Sequence, residues 1–147
     1  MNDDEIISKA ISILESRLCR YDVEIFTTPE TTKNFLRLKL AQLKSEVFAC
    51  MFLDNRNRLI KYEVIFNGTL SGCSVYPREV VLKALEYNAA AVIFAHNHPS
   101  GNSEPSQADK NITIAIKNAL ECVDIRSLDH IVIGDDNCTS FAERGLI

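Results

Sequence analysis

The chain has 147 residues, a formal net charge of −4 at pH 7, 46% hydrophobic residues and 24% charged residues. This length and composition are typical of one globular domain with a buried core. The negative charge argues against non-specific binding to nucleic acid, which depends on Lys and Arg neutralising phosphates. No apolar run is long enough to span a bilayer, and the acidic N-terminus lacks the basic-then-apolar order of a signal peptide, so we expect a cytoplasmic protein.

Cysteine usage agrees with a reducing compartment. The five cysteines, at positions 19, 50, 73, 122 and 138, are widely scattered and form no Cys-x-x-Cys pair. Such a set is more typical of cytoplasmic proteins than of a disulfide framework. Cys50 lies inside an apolar run and is predicted to be a small buried hydrophobe.

Two helices are predicted in the first part of the chain. Residues 4–18 carry an apolar stripe at helical spacing, formed by Ile7, Ile11, Leu14 and Leu18. A second helix is predicted to begin at Pro29, with Thr28 as its N-cap, and to run to about Lys44.

A β-hairpin is predicted next. Residues 46–54 are too rich in apolar, aromatic and β-branched side chains for a surface helix and indicate a strand. A polar turn at 55–58 separates it from a second strand at 59–66, which ends at the turn signal Asn67-Gly68.

The second half alternates helices and strands. A third helix is predicted at residues 77–87, followed at 89–95 by a continuous apolar run, typical of a strand covered on both faces. Another helix should begin near Pro105, and a last strand is predicted at 129–134 before a short tail at 141–147.

This order, α-α-β-β-α-β-α-β, predicts an α/β fold, a mixed α-β-α sandwich around a central, mostly antiparallel sheet. We interpret residues 1–22 as an N-terminal helical extension and residues 23–147 as the main domain. The apolar stripe of the first helix suggests a homodimer as one possible assembly.

Candidate metal ligands follow the buried strand. Two of the three histidines, His96 and His98, are two residues apart, and in extended backbone such side chains point to the same face. Ser106 and Asp109 share a face at the start of the next helix, and Asp109 can supply a third ligand. Two histidines and one carboxylate leave a fourth tetrahedral position for water, the arrangement of catalytic zinc sites.

Simpler interpretations exist for some of these residues. Ser106 and Asp109 also have the spacing of a helix N-cap with an acidic residue at N3, and this role is compatible with a metal site. His130, beside Asp129 at a strand entrance, is predicted to be a structural histidine.

Several spaced elements resemble one known family. The chain resembles the JAMM (MPN-plus) metalloproteases, and within them the JAB-type domain of bacterial RadC-like proteins, whose pattern is an upstream Glu, His-x-His-Pro and Ser-x-x-Asp. The resemblance covers roughly residues 40–147. It rests on residues 95–101, on Pro105 and Ser106, and on 77–79, 129–134 and 140–146.

The resemblance implies a JAB/MPN-like fold with cytidine-deaminase-like layering and a zinc ion bound by His96, His98 and Asp109. It also implies that Ser106 hydrogen-bonds the tetrahedral intermediate or the bound water. The upstream Glu would be the general acid and base. Glu46 is the best positional match, and Glu63 and Glu79 are rival candidates.

The function implied by the resemblance is hydrolysis of a peptide or isopeptide bond in a peptide or protein substrate. Residues 67–78 and 97–105 are candidate specificity loops. Asn97 stands where eukaryotic JAMM enzymes have Ser or Thr, so a ubiquitin-type substrate is not implied. The alternatives are a DNA-repair or recombination accessory protein acting on or near DNA, against which the acidic charge weighs, and a non-catalytic interaction module.

Overall fold

The computed structural model describes residues 1–18, 29–68 and 75–147, and in these ranges the chain forms four helices and five strands. The helices are α1 (Asp3–Leu18), α2 (Pro29–Leu40), α3 (Pro77–Glu86) and α4 (Gln107–Glu121). The strands are β1 (Val47–Leu53), β2 (Leu59–Asn67), β3 (Ala91–Asn97), β4 (Arg126–Ile133) and β5 (Cys138–Ser140). The predicted α/β class is therefore confirmed.

The strands form one mixed sheet in the order β2-β1-β3-β4-β5. Neighbouring strands are antiparallel except β3 and β4, which are parallel and are joined through α4. Every residue of β1 and of β3 is buried. Their continuous apolar sequences follow from this, because helices cover both faces of the two strands.

Each face of the sheet has its own hydrophobic core. On one face, α2 packs Phe35, Leu36 and Leu40 against odd-numbered residues of β1 and β3, and α1 adds partly buried side chains, Ile11 and Leu14. On the other face, α3 and α4 pack against even-numbered residues of the same strands, including Phe48, Phe52 and Phe94. The result is the predicted three-layer sandwich.

Cys50 is fully buried in β1, as its apolar surroundings predict. Cys19, Cys73 and the proposed Thr28 cap lie outside the described residues. None of the helices in the described ranges is long and apolar enough to cross a bilayer.

The predicted element boundaries need four corrections. Helix α2 ends at Leu40 rather than near Lys44, because the chain must turn there to enter β1. Strand β3 begins at Ala91 and extends to Asn97, so His96 lies within the strand. Strand β4 begins at Arg126, where backbone pairing with β3 extends it through polar residues that resemble a loop in sequence. The three-residue β5 was not predicted; its short, polar sequence is held by pairing with β4.

Replacement of Phe52 tests the packing of the hydrophobic core between the sheet and helices α3 and α4. Phe52 is fully buried with its ring centroid 5.2 Å from that of Tyr87. Because Phe52→Ala leaves a cavity, we expect it to lower the free energy of unfolding by about 3–5 kcal/mol. Leu82→Ala, at a side chain on α3 that is 56% exposed, is the control and should cost less than about 0.5 kcal/mol. Urea denaturation of the chelator-treated protein measures both, and equal losses would contradict the assigned packing.

Candidate metal centre

The register between β1 and β3 brings the predicted site residues to one end of the sheet. Phe48 of β1 lies opposite His96 of β3 in the antiparallel pair. Glu46 directly precedes β1, and His98 directly follows β3. Because side chains alternate along strands, Glu46, His96 and His98 are directed to the face covered by α3 and α4.

Asp109 reaches the same place from the first turn of α4. Ser106 is the N-cap residue: its Oγ accepts a hydrogen bond from the Asp109 backbone N–H at 3.0 Å. In return, Asp109 Oδ2 accepts one from the Ser106 backbone N–H at 2.8 Å. This reciprocal capping box fixes the Asp109 carboxylate. The predicted cap is therefore present, and it leaves the exposed Ser106 with a hydroxyl hydrogen to donate.

Four side chains that can each offer a ligand atom to a metal ion come together at this place. The Nε2 atoms of His96 and His98 are 2.9 Å apart, and Asp109 Oδ2 lies 3.2 Å from the first and 3.1 Å from the second. Glu46 Oε1 is 4.0 Å from His98 Nε2. Ligand atoms of all four residues lie within 4.8 Å of one another, so the group could hold a metal ion.

The loop after β3 fixes the orientation of the His98 ring. His98 Nδ1 is 2.8 Å from the backbone carbonyl oxygen of Asn102, which can only accept, so Nδ1 carries the proton. The loop needs glycine at position 101, where φ is +90° and a Cβ would lie 2.3 Å from Asp135 Oδ2. This turn therefore directs His98 Nε2, the nitrogen that carries a lone pair when the ring is neutral, toward Asp109.

The approach of His98 Nε2 to the Asp109 carboxylate favours a bound cation between them. The Nε2 lone pair of His98 and the Asp109 carboxylate are both acceptors, and two acceptors 3.1 Å apart repel each other unless a proton or a metal ion lies between them. The hydrogen bond with Asp109 raises the pKa of His98. Burial by itself would raise the pKa of Asp109, but its contacts with His96 and His98 outweigh burial and lower it. The residues present therefore fit a divalent metal with nitrogen and oxygen ligands.

Of the three candidate glutamates, Glu46 joins this cluster. Burial raises the pKa of Glu46, and the Asp109 charge raises it further, against the opposing effect of the two histidines. Glu63 on β2 instead has Oε2 3.8 Å from Lys83 Nζ. Glu79 lies in the first turn of α3.

Asn97, between the two histidines, faces the opposite side of the strand and holds the segment that carries Glu46. Its Oδ1 accepts a hydrogen bond from the Val47 backbone N–H at 2.8 Å. Its Nδ2 donates to the Ser45 carbonyl at 3.0 Å. Both neighbours of Glu46 are thus attached to the strand that carries the histidines.

Sequence reasoning missed several residues that support the cluster. Asn97 stood out only as a difference from other families, and Asn102 acts through its backbone, which leaves no signal in the sequence. His130 is buried as a structural histidine should be, and its ring stacks on Phe141 with centroids 4.6 Å apart. However, its Nε2 also lies 2.7 Å from His96 Nδ1, a contact that the spacing of the two residues does not predict.

Comparison with known proteins assigns the chain to a family. The RadC-like JAB domain family matches residues 26–146. The chain belongs to the RadC family. The resemblance noted from the sequence is thereby confirmed, and the RadC-like JAB domain contains all four residues of the cluster.

Several curated relatives of this RadC-like protein carry the name UPF0758 protein. One from Vibrio cholerae is 57% identical over 143 residues, which are 97% of this chain and 89% of the relative. One from Pseudoalteromonas translucida is 57% identical over 88% of this chain, and one from Nitrosococcus oceani is 56% identical over 91%. The matched parts are 57% and 59% of the length of these two relatives, so the chain spans a little over half of each.

Replacement of Asn97 tests the attachment of the Glu46 segment. Asn97→Ala leaves the buried Val47 N–H without its acceptor, so we expect a loss of about 1–3 kcal/mol in the free energy of unfolding. Asn111→Ala, which removes an exposed side-chain hydrogen bond to Gln107 on α4, is the control and should change it by less than about 0.5 kcal/mol. Both variants are compared by urea denaturation without metal. A negligible effect of Asn97→Ala would show that the attachment does not stabilise this end of the sheet.

Proposed function

We propose that this protein is a metal-dependent hydrolase that cleaves a peptide or isopeptide bond and uses zinc. The observation that carries the proposal is the convergence of His96 Nε2, His98 Nε2 and Asp109 Oδ2, which lie 2.9 to 3.2 Å from one another, with Glu46 beside them. Two imidazoles and one carboxylate are a donor set that zinc accepts while one coordination position stays open.

His96, His98 and Asp109 would hold the ion. The side chains of His96 and Asp109 are 0% and 2% exposed, whereas those of His98 and Glu46 are 16% and 13% exposed. Substrate and water would therefore approach from the side of His98 and Glu46. When bound, zinc supplies Lewis-acid polarisation of the scissile carbonyl and activation of water.

Glu46 is proposed as the residue that moves the proton. Its carboxylate would accept a proton from water as the water oxygen adds to the carbonyl carbon, and would pass that proton to the nitrogen as the C–N bond breaks. Partial burial, which raises the pKa of Glu46, brings it closer to the neutral working range of a general acid and base. Ser106 is proposed to donate its free hydroxyl hydrogen to the oxygen that becomes negatively charged.

The loop at 97–105 is proposed to contribute to substrate choice. It leaves the cluster at His98 and carries Asn102, whose carbonyl orients the His98 ring. The other predicted specificity loop, 67–78, lies partly outside the described residues.

Metal analysis tests the ligand assignment. We expect about one zinc per chain after chelation and reloading of the purified protein, and loss of that zinc in His96→Ala and Asp109→Asn, because each removes one of three ligands. Asp109→Asn keeps a side-chain acceptor for the capping box. Elemental analysis after gel filtration gives the ratio, with Glu63→Gln as the control that keeps it. Full zinc content in both ligand variants would rule out this site.

The role of Glu46 is tested by Glu46→Gln. This variant keeps the size of the side chain but cannot take a proton, so we expect bound zinc to remain while amide hydrolysis falls by a factor of about 100 or more. The assay follows peptide-library and isopeptide cleavage by the zinc-loaded protein, with Glu63→Gln as the control at wild-type rate. No cleavage by loaded wild type would contradict the proposed hydrolysis, and undiminished cleavage by Glu46→Gln would contradict its role.

A further inference from the structure

A line of buried polar contacts runs from α4 along the face of the sheet that this helix covers and ends at the metal cluster. Thr113 on α4 is 1% exposed, and His130 on β4 and His96 on β3 are fully buried. Thr113 Oγ1 lies 2.5 Å from His130 Nδ1, and His130 Nε2 lies 2.7 Å from His96 Nδ1. His96 Nε2, at the far side of its ring, is one of the converging donor atoms.

The proton positions along this line follow from Thr113. Its Oγ1 is 2.7 Å from the carbonyl oxygen of Asp109, one helical turn earlier, which can only accept. Thr113 therefore donates its single hydroxyl hydrogen to that carbonyl, a common bond for threonine inside a helix. The reverse direction would leave two oxygens 2.7 Å apart with no hydrogen between them.

With its hydrogen used, Thr113 Oγ1 must accept from His130, so His130 carries its proton on Nδ1. The fully buried His130 ring packs against the rings of Phe48, Phe94 and Phe141, and its two hydrogen-bond partners are a hydroxyl and an imidazole rather than a carboxylate. This setting favours the neutral ring, because burying a positive charge without an opposite charge beside it is costly. Its Nε2 is then a lone pair that accepts from His96 Nδ1–H. His96 in turn presents an unprotonated Nε2 to the cluster, which is the form that binds a metal.

We propose that Thr113 and His130 are positioning residues, which fix His96 in its metal-binding tautomer and thereby raise the metal affinity of the site. The proposal rests on the proposed metal centre. Most metal-binding histidines donate a hydrogen bond from their other ring nitrogen to a carbonyl or carboxylate, and loss of that acceptor lowers metal affinity by a factor of about 10–100. Thr113 and His130 together would take the place of that acceptor for His96. Here that partner is a second neutral histidine, whose own tautomer must also be set.

The side chains packed around His130 fix the orientation of its ring. Its ring stacks on Phe141 with an interplanar angle of 25° and meets the rings of Phe48 and Phe94 edge-on. These apolar neighbours hold the ring in place and offer no hydrogen-bond partner. Thr113 is consequently the group that decides which His130 nitrogen carries the proton.

Thr113→Val and Thr113→Ser form the test pair. Valine has nearly the shape of threonine but no hydroxyl, so the His130 and His96 tautomers are no longer fixed, and we expect zinc affinity to fall about 10–100-fold. Serine keeps the hydroxyl and should keep the affinity. Zinc affinity is measured by competition with a chromophoric chelator, and urea denaturation without metal confirms that both variants fold.

A second pair changes His130. His130→Phe keeps an aromatic ring among its neighbours but removes the acceptor for His96 Nδ1–H, so affinity should fall by a similar factor. His130→Gln can place an amide oxygen near the former Nε2 position and should recover part of the affinity. Higher zinc affinity in His130→Gln than in His130→Phe would show that the hydrogen bond from His96, rather than the packing of an aromatic ring, supports the affinity.

Nitrogen-15 NMR of the imidazole rings provides a readout that does not depend on activity or metal. With only three histidines in the chain, each ring can be assigned, and we expect His96 and His130 as the Nδ1–H tautomer in the metal-free wild type. Thr113→Val should populate the opposite tautomer, whereas Thr113→Ser should not.

The outcomes separate this inference from the proposed function. An Nε2–H tautomer of His96 in the wild type, or wild-type zinc affinity in both Thr113→Val and His130→Phe, would overturn the positioning role while leaving the metal centre intact. A wild type that binds no zinc would overturn the metal centre and the claimed effect on affinity. The NMR tautomers would still decide whether Thr113 and His130 fix His96.

Discussion

The pairing of β1 with β3 is the constraint on which the candidate site depends. Phe48 lies opposite His96, so the residues two positions beyond this pair, Glu46 and His98, meet at the same sheet end. A slip of one residue would turn Glu46 and Phe48 to the opposite face, toward α2. Burial of both faces opposes such a slip, because each face of β1 packs against its own helical layer.

The end of β3 both supplies metal ligands and holds the segment of Glu46, because successive side chains along a strand point to opposite faces. His96 and His98 point to the metal cluster, while Asn97 between them binds the backbone on both sides of Glu46. One short segment thus supplies two ligands and positions the proposed base. The distance between the two histidines and the Glu46 carboxylate is consequently set by strand geometry rather than by the conformations of long loops.

Polar groups buried this deeply are stable only when each has a partner. His96, Asp109, Thr113 and His130 are all buried, and aromatic rings surround part of the group. Their hydrogen bonds form a connected set that reaches from the capping box of α4 to His96. The acceptor atoms that face one another, His96 Nε2, His98 Nε2 and Asp109 Oδ2, are those expected to bind the cation.

The sequence by itself determined the α/β class, the buried character of the central strands and the set of residue types at the metal cluster. Apolar periodicity and ligand spacing are local properties, and they are visible without a fold. The resemblance favoured Glu46 over Glu63 and Glu79 by its position in the chain, but only the tertiary structure put the Glu46 carboxylate beside the histidines and joined Thr113 and His130 to His96. These contacts depend on strand register and helix placement, which link residues 17 to 52 positions apart and leave no local pattern in the chain. The short strand β5 escaped prediction for the same reason, because its pairing partner, rather than its own sequence, makes it a strand.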